Sequence, residues 1–164
     1  MVCCITGHRP QGFPFPRDEA DERYIQYKKI LFQSIETLIL NGYDTFITGM
    51  ADGADLDFAG CVLHYKRQYP HIILEVALPY PTRQAKHIHP TAEKRASILT
   101  VCDHVYEVST YYHAGCMQRR NIFMVDKADL ILAIWNGIEK GGTWNTIRYA
   151  RQKNKPIQYI LLTP

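Results

Sequence analysis

The chain predicts a single α/β domain with about six strands in a mainly parallel sheet and helices on both faces. Three observations predict it. Short apolar runs of strand length alternate with longer segments of helical periodicity from one end to the other. The short runs are almost continuously apolar, as strands buried on both faces are. The 164 residues fit the roughly 100–200 residues of one domain, and no repeat, low-complexity tract or linker divides residues 1–164.

Val2–Thr6 reads as a buried strand in which Cys3 and Cys4 serve as small core residues. Gly7–Pro16 is a Gly/Pro-rich loop. A helix over Asp18–Asn41 follows, because Tyr24, Tyr27, Leu31, Ile35, Leu38 and Ile39 recur at three- to four-residue steps. Gly42 stands where a C-terminal cap belongs. Asp44–Thr48 is the second strand, Gly49–Gly53 its loop, and Ala54–Tyr69 a helix stopped by Pro70. Ile72–Leu78 is a third strand, ended by Pro79 and Pro81. A polar stretch from Thr82 to Pro90 leads into a helix over Thr91–Cys102, a short strand His104–Val108 and a helix over Ala114–Lys127. Leu130–Trp135 is the most apolar strand. The loop Asn136–Gly142, a helix over Thr143–Asn154 and a strand Pro156–Leu162 complete the order. Strict alternation of this kind gives a Rossmann-like arrangement, a parallel sheet covered on both faces.

Composition narrows the function classes. Hydrophobic residues make up 46% and charged residues 21%, a balance that supports a packed core rather than disorder. No apolar stretch approaches the ~20 residues of a membrane helix, so no membrane partner is expected. The N-terminus shows no basic region followed by an apolar segment, hence no signal peptide. The five cysteines include no C-x-x-C pair, which argues against zinc. Without a secretory signal they read as reduced thiols of a cytoplasmic protein. A net charge of +3, with short basic pairs at Lys66-Arg67 and Arg119-Arg120 rather than a basic stripe, gives nucleic-acid binding little support.

Ligands of such sheets bind at the carboxyl ends of the strands, so the informative residues follow each strand. The first loop is Thr6-Gly7-His8-Arg9-Pro10. Its glycine admits close backbone approach, Arg9 offers a planar fork to phosphate or carboxylate, and His8 can act as acid, base or hydrogen-bond donor. The second is Thr48-Gly49-Met50-Ala51-Asp52-Gly53-Ala54-Asp55, where two glycines at a helix start present backbone amides beside a positive dipole end. Asp52 and Asp55 there suit either helix capping or contact with ribose hydroxyls. The third runs from Asn136 through Gly141, Gly142 and Thr143 to Thr146, a second anion cradle at a helix N-terminus. Neither G-x-G-x-x-G nor G-x-x-x-x-G-K-[ST] occurs, so no dinucleotide fingerprint or P-loop is present. His87-x-His89 has the spacing of two metal ligands but no evident third, and two surface histidines describe it better; no metal and no cofactor are expected. Tyr24, Tyr27, Tyr65 and Tyr69 fall at helical spacing and read as core. Tyr80, Tyr111 and Tyr112 follow strands, where one can stack on a base.

These residues carry a resemblance. Ile47-Thr48-Gly49-Met50-Ala51-Asp52-Gly53-Ala54-Asp55, with Ala59 following, resembles the SGxAxGID…A segment of the DNA-processing protein A (Smf) family. Met117-Gln118-Arg119-Arg120-Asn121, then Met124, Ala128-Asp129 and Gly141-Gly142-Thr143, resembles the MxxRK…M…AD…PGGxGT stretch of the LOG, or lysine-decarboxylase-like, proteins. Both groups belong to the Rossmann-like SLOG superfamily. The opening Thr-Gly-His-Arg-Pro and the closing Gly-Gly-Thr-x-x-Thr-x-x-x-Ala look most like its YpsA-like branch, so the resemblance spans nearly the whole chain. It implies a nucleotide-derived ligand between the glycine loops, contacted by Arg120. It also implies a homodimer, since relatives often form one. LOG enzymes carry a glutamate just after their glycine turn, used in cleaving the base from a nucleoside monophosphate. The corresponding positions here are Ile147 and Arg148, which offer no carboxylate, and the lysine beside the LOG arginine is Asn121.

The leading expectation is therefore a module that senses or sequesters a nucleotide-derived small molecule. The alternative is an N-glycosidase or phosphoribohydrolase acting on a nucleoside monophosphate, with Asp52, Asp55 or Glu139 stabilising the charge that develops as the glycosidic bond breaks. A second alternative is single-stranded DNA binding.

Overall fold

The structure, a computed structural model, describes residues 1–81 and 91–164. Its strands are β1 (Val2–Gly7), β2 (Thr45–Thr48), β3 (Ile73–Leu78), β4 (His104–Glu107), β5 (Leu130–Trp135) and β6 (Ile157–Leu161). Its helices are α1 (Glu22–Leu40), α2 (Ala54–Lys66), α3 (Ala92–Val101), α4 (Cys116–Lys127) and α5 (Gly141–Gln152). All six strands form one parallel sheet in the order β4-β3-β2-β1-β5-β6. This is the Rossmann-like α/β architecture that the alternation predicts.

The buried faces explain the strand compositions. Cys3, Cys4 and Ile5 of β1 are at most 2% exposed, because α2, α4 and α5 all pack against β1. Burial pushes the Cys3 thiol up to about 12, so it behaves as a small hydrophobe. All five cysteines are free. Tyr24, Tyr27, Leu31, Ile35, Leu38 and Ile39 form the buried stripe of α1, as their spacing predicts. Among the described residues no helix is long and apolar enough to cross a membrane.

Element ends differ from the sequence reading in ways local chemistry explains. Helix α1 starts at Glu22 rather than Asp18, because the Asp21 carboxylate accepts from the Arg23 amide at 2.9 Å and caps the first turn. Asp18 instead holds a preceding turn, accepting from the Ala20 amide at 2.9 Å. The first loop contains a single 3-10 turn, Pro10–Gly12, with proline at its start. Helix α5 takes in Gly141 and Gly142, two residues earlier than read from sequence.

The strand order places the site. From β1 the chain winds outward through β2 and β3 to β4, then returns to the far side of β1 for β5 and β6. Winding reverses between β1 and β5, whose register sets Thr6 beside Ala133 and Gly7 beside Ile134. A crevice opens at such a reversal, outside the carboxyl ends of the strands.

Candidate functional site

A cleft of about 350 Å³ lies at that reversal, lined by Thr6, Gly7, His8 and Arg9 after β1, Asp55 of α2, Met117, Arg120 and Asn121 of α4, and Gly142 and Thr143 of α5. A smaller pocket of about 90 Å³ adjoins it through Arg9, Ala51, Met117 and Arg120, with Pro79 and Tyr80 on its wall. Three helices therefore bring their N-terminal turns to one place. Their N-cap residues are Gly53, Gly115 and Lys140, and none of these side chains bonds back to its helix. The positive ends of the helix dipoles are thus left uncapped by their N-cap side chains.

The β2–α2 loop is tightly specified. Thr48 Oγ1 donates to the Asp55 carbonyl at 3.1 Å and accepts from the Met50 amide at 3.2 Å. Met50 stands at φ 57 with its side chain buried, a left-handed conformation that costs a non-glycine residue on the order of 1 kcal/mol or more. Gly53 has φ 88, and a Cβ on it would lie 2.5 Å from the His8 carbonyl oxygen, which already accepts from the Ala54 amide at 3.1 Å. Gly53→Ala is therefore expected to destabilise the fold by at least about 1–3 kcal/mol, read as a fall in the urea midpoint. An unchanged midpoint would show that the two loops are not locked together as described.

Beneath the cleft lie two buried groups of opposite charge, each bonded to backbone rather than to the other. Arg120 is 5% and Asp55 6% exposed. The Arg120 guanidinium donates through Nη1 to the carbonyls of Gly49 and Ala77 and through Nε to Asn121 Oδ1. A Cβ on Gly49 would overlap this guanidinium, so glycine is required there by close approach. Burial pushes the Asp55 carboxyl up, against the pull of the Arg120 charge and of loop amides including that of Ala51 at 3.3 Å. Burial likewise pulls Arg120 down, with Asp55 opposing. From Asn121 the network continues: Nδ2 donates to Thr146 Oγ1 at 3.0 Å, which donates to the Gly142 carbonyl at 2.9 Å. The buried charge on α4 is thereby tied to the glycine turn of α5.

His8 closes the other side. Burial lowers its pKa, opposed by a bond to the Asn136 side chain, and its Nε2 is buried without a hydrogen-bond partner among the described residues. Asn136 in turn donates to the Gly12 carbonyl and accepts from the Ile138 amide, each at 3.0 Å. Chemically, an open guanidinium (Arg9), a buried one (Arg120) and the positive dipole ends of the helix starts suit a multiply charged anion such as phosphate.

The sequence-derived candidates divide by place. Thr6, Gly7, His8, Arg9, Asp55, Arg120, Gly142 and Thr143 line the cleft. Gly49 lines the smaller pocket. Thr48, Gly53, Asn136 and Thr146 support the loops from behind through the bonds and close approach described above. Gly141, at φ 84, lies exposed at the start of α5. Of the three candidate carboxylates, Asp55 alone lines the cleft. Asp52 points toward α3, accepting from Thr91 Oγ1 and from Arg95 Nη2 at 3.4 Å, and Glu139 is exposed on the β5–α5 loop. Sequence reasoning left Asn121, Met117 and Gln11 out of the site. Tyr80 lines the smaller pocket with Tyr112 edge-on to it at 5.4 Å, whereas Tyr111 is 63% exposed. His87 and His89 lie outside the described residues.

Comparison with known proteins agrees along the whole chain. It is 29% identical over 168 residues to a UPF0398 protein of Halalkalibacterium halodurans, covering 99% of this chain and 88% of that one. It is 32% identical over 142 residues to the uncharacterized SPbeta prophage-derived protein YoqJ of Bacillus subtilis, covering 78% and 82% respectively. A UPF0398 protein of Bacillus pumilus matches at 26% over 165 residues, with 98% and 88% covered. The YpsA model, described as the YspA SLOG family, matches residues 3–163. That span contains every loop of the cleft, from β1 to the glycine turn of α5, and the chain belongs to the YspA SLOG family.

Proposed function

We propose that this chain binds a nucleotide-derived small molecule in the cleft, as a sensor or sequestering module. The observation that carries the reading is the convergence of three helix N-terminal turns and two arginines on one cleft, with an aromatic-walled pocket beside it. A phosphate takes the dipole ends and the Arg9 fork. A base takes the smaller pocket against Tyr80. The resemblance to LOG proteins, which act on nucleoside monophosphates, supports the same ligand class.

The non-catalytic half of the reading rests on the carboxylates. Where LOG enzymes place their glutamate this chain has Ile147, fully buried, and Arg148, exposed. One observation favours the N-glycosidase alternative: Asp55 lines the cleft with its carboxyl pushed up, a property of general acids. Mass spectrometry of small molecules released from the purified protein, followed by incubation with a nucleotide panel, separates the two. The expected result is an intact nucleotide that survives incubation. Free base and ribose 5-phosphate formed with turnover, and lost in Asp55→Asn, would make the protein an enzyme.

A further inference from the structure

On the far side of Arg9 and Gln11 from the cleft lies another cavity of about 350 Å³, whose wall carries Arg9, Arg17 and Lys94. Behind it sits Asp57, a carboxylate whose side chain is 1% exposed. Arg17 Nη2 approaches Asp57 to 2.7 Å, and the ammonium groups of Lys28 and Lys94 each stand 3.8 Å away. Tyr27 adds a neutral donor at 3.2 Å. One negative charge therefore faces three positive ones, more than its own neutralisation requires. The other acid on the cavity wall, Asp52, is already engaged by Thr91 and Arg95.

The surplus is held rigidly. The Arg17 guanidinium lies 5.1 Å from the Phe13 ring centre and 5.6 Å from that of Tyr24, while Asp57 fixes its far nitrogen. Its Nε is buried and has no hydrogen-bond partner among the described residues. A cation clamped between two aromatic faces and a carboxylate has already lost its rotamer freedom, so an arriving anion gains its charge without ordering it. Arg9 and Gln11 line both cavities, which makes them the partition between two anion sites.

We infer that this cavity is a second anion subsite, which takes a second phosphate group of the ligand, across Arg9 from the first. The inference rests on the proposed nucleotide reading for the first phosphate only; the cation cluster stands independently of it.

The test is an amide NMR titration with inorganic phosphate. Two groups of resonances are expected to move with separate saturation curves, one around Gly7, Gly142 and Thr143 and one around Gly53, Leu56 and Lys94. Lys94 is half exposed and its contact with Asp57 is long, so Lys94→Glu keeps the fold and weakens the second group's response about tenfold or more, with the first unchanged. A second group that stays still while the first saturates overturns the subsite and leaves the proposed function standing. Movement of the second group alone overturns the proposed function and keeps the subsite. Adenosine 3′,5′-bisphosphate and adenosine 5′-monophosphate then distinguish the source of the phosphate. Loss of affinity on Lys94→Glu for the bisphosphate alone supports a second phosphate on the same ligand. Equal affinities in variant and parent overturn that link in favour of free phosphate.

Discussion

Replacing Arg120 by methionine is expected to lower stability by about 1–3 kcal/mol or more, the cost of leaving a buried acceptor without its donor. The substitution keeps most of the side-chain volume and removes the guanidinium. The carbonyls of Gly49 and Ala77 lose their donor, and Asp55 loses the charge that most opposes its desolvation. Its carboxyl, already pushed up, moves higher. A carboxyl whose folded pKa lies above the unfolded one contributes stability at low pH that is lost as the pH rises through the folded value. The deficit of Arg120→Met relative to the parent is therefore expected to be largest at neutral pH and to shrink on acidification. Adding Asp55→Asn removes the uncompensated charge and recovers part of the loss. Urea midpoints at two pH values, with an unchanged denaturant slope, measure both effects. A deficit equal at both pH values would show that Asp55 is not held as a carboxylate by Arg120.

The same two residues show what the sequence could convey about this molecule. Strands and helices were legible because each carries its own signal: near-continuous apolar runs for strands buried on both faces, and a three-to-four-residue stripe for α1. Helix starts were less legible, since Asp18 and Asp21 are equally good caps in isolation and only Asp21 meets the amide of Arg23. The cleft was legible in outline because a parallel sheet gathers its strand ends on one side. The division of labour between Asp52 and Asp55 was not. They stand three residues apart, and the turn at Gly53, with φ 88, sends one toward α3 and the other into the cleft. The part Asn121 plays in the site was hidden for another reason. The residue follows no strand, and its role arises from a bond to Thr146 across 25 residues of sequence. Arg120 was marked by resemblance as a ligand contact, but resemblance says nothing of burial. The structure places its guanidinium nearly wholly below the surface, bonded to the loop of β2, so it both shapes the cleft and charges it.

Gly142→Asp is expected to abolish phosphate binding in the cleft while leaving the fold intact or slightly firmer. These opposite signs make it the sharper probe of the site. A Cβ at Gly142 meets no atom within 4 Å, and its backbone lies in the first turn of α5 without a left-handed φ, so nothing in packing or conformation demands glycine. A carboxylate in the first turn of a helix gains about 0.3–1 kcal/mol from the dipole. Stability should thus stay level or rise by that amount in thermal denaturation. Gly142 nevertheless lines the cleft, and the Thr146 hydroxyl, tied through Asn121 to Arg120, holds its carbonyl. The new carboxylate would therefore stand where an anion meets the α5 amides. Like charges brought together in such a site cost several kcal/mol, and each 1.4 kcal/mol is about tenfold in affinity, so binding should fall by more than about a hundredfold. Gly142→Ala separates charge from bulk: it adds the Cβ into open space without a charge and should retain most of the affinity. Phosphate binding in Gly142→Asp equal to that of the parent would place the anion elsewhere and remove the α5 turn from the site. Equal losses in Gly142→Ala and Gly142→Asp would instead mean that the cleft excludes any side chain, so that steric closeness to the ligand, rather than its charge, is the reason for glycine there.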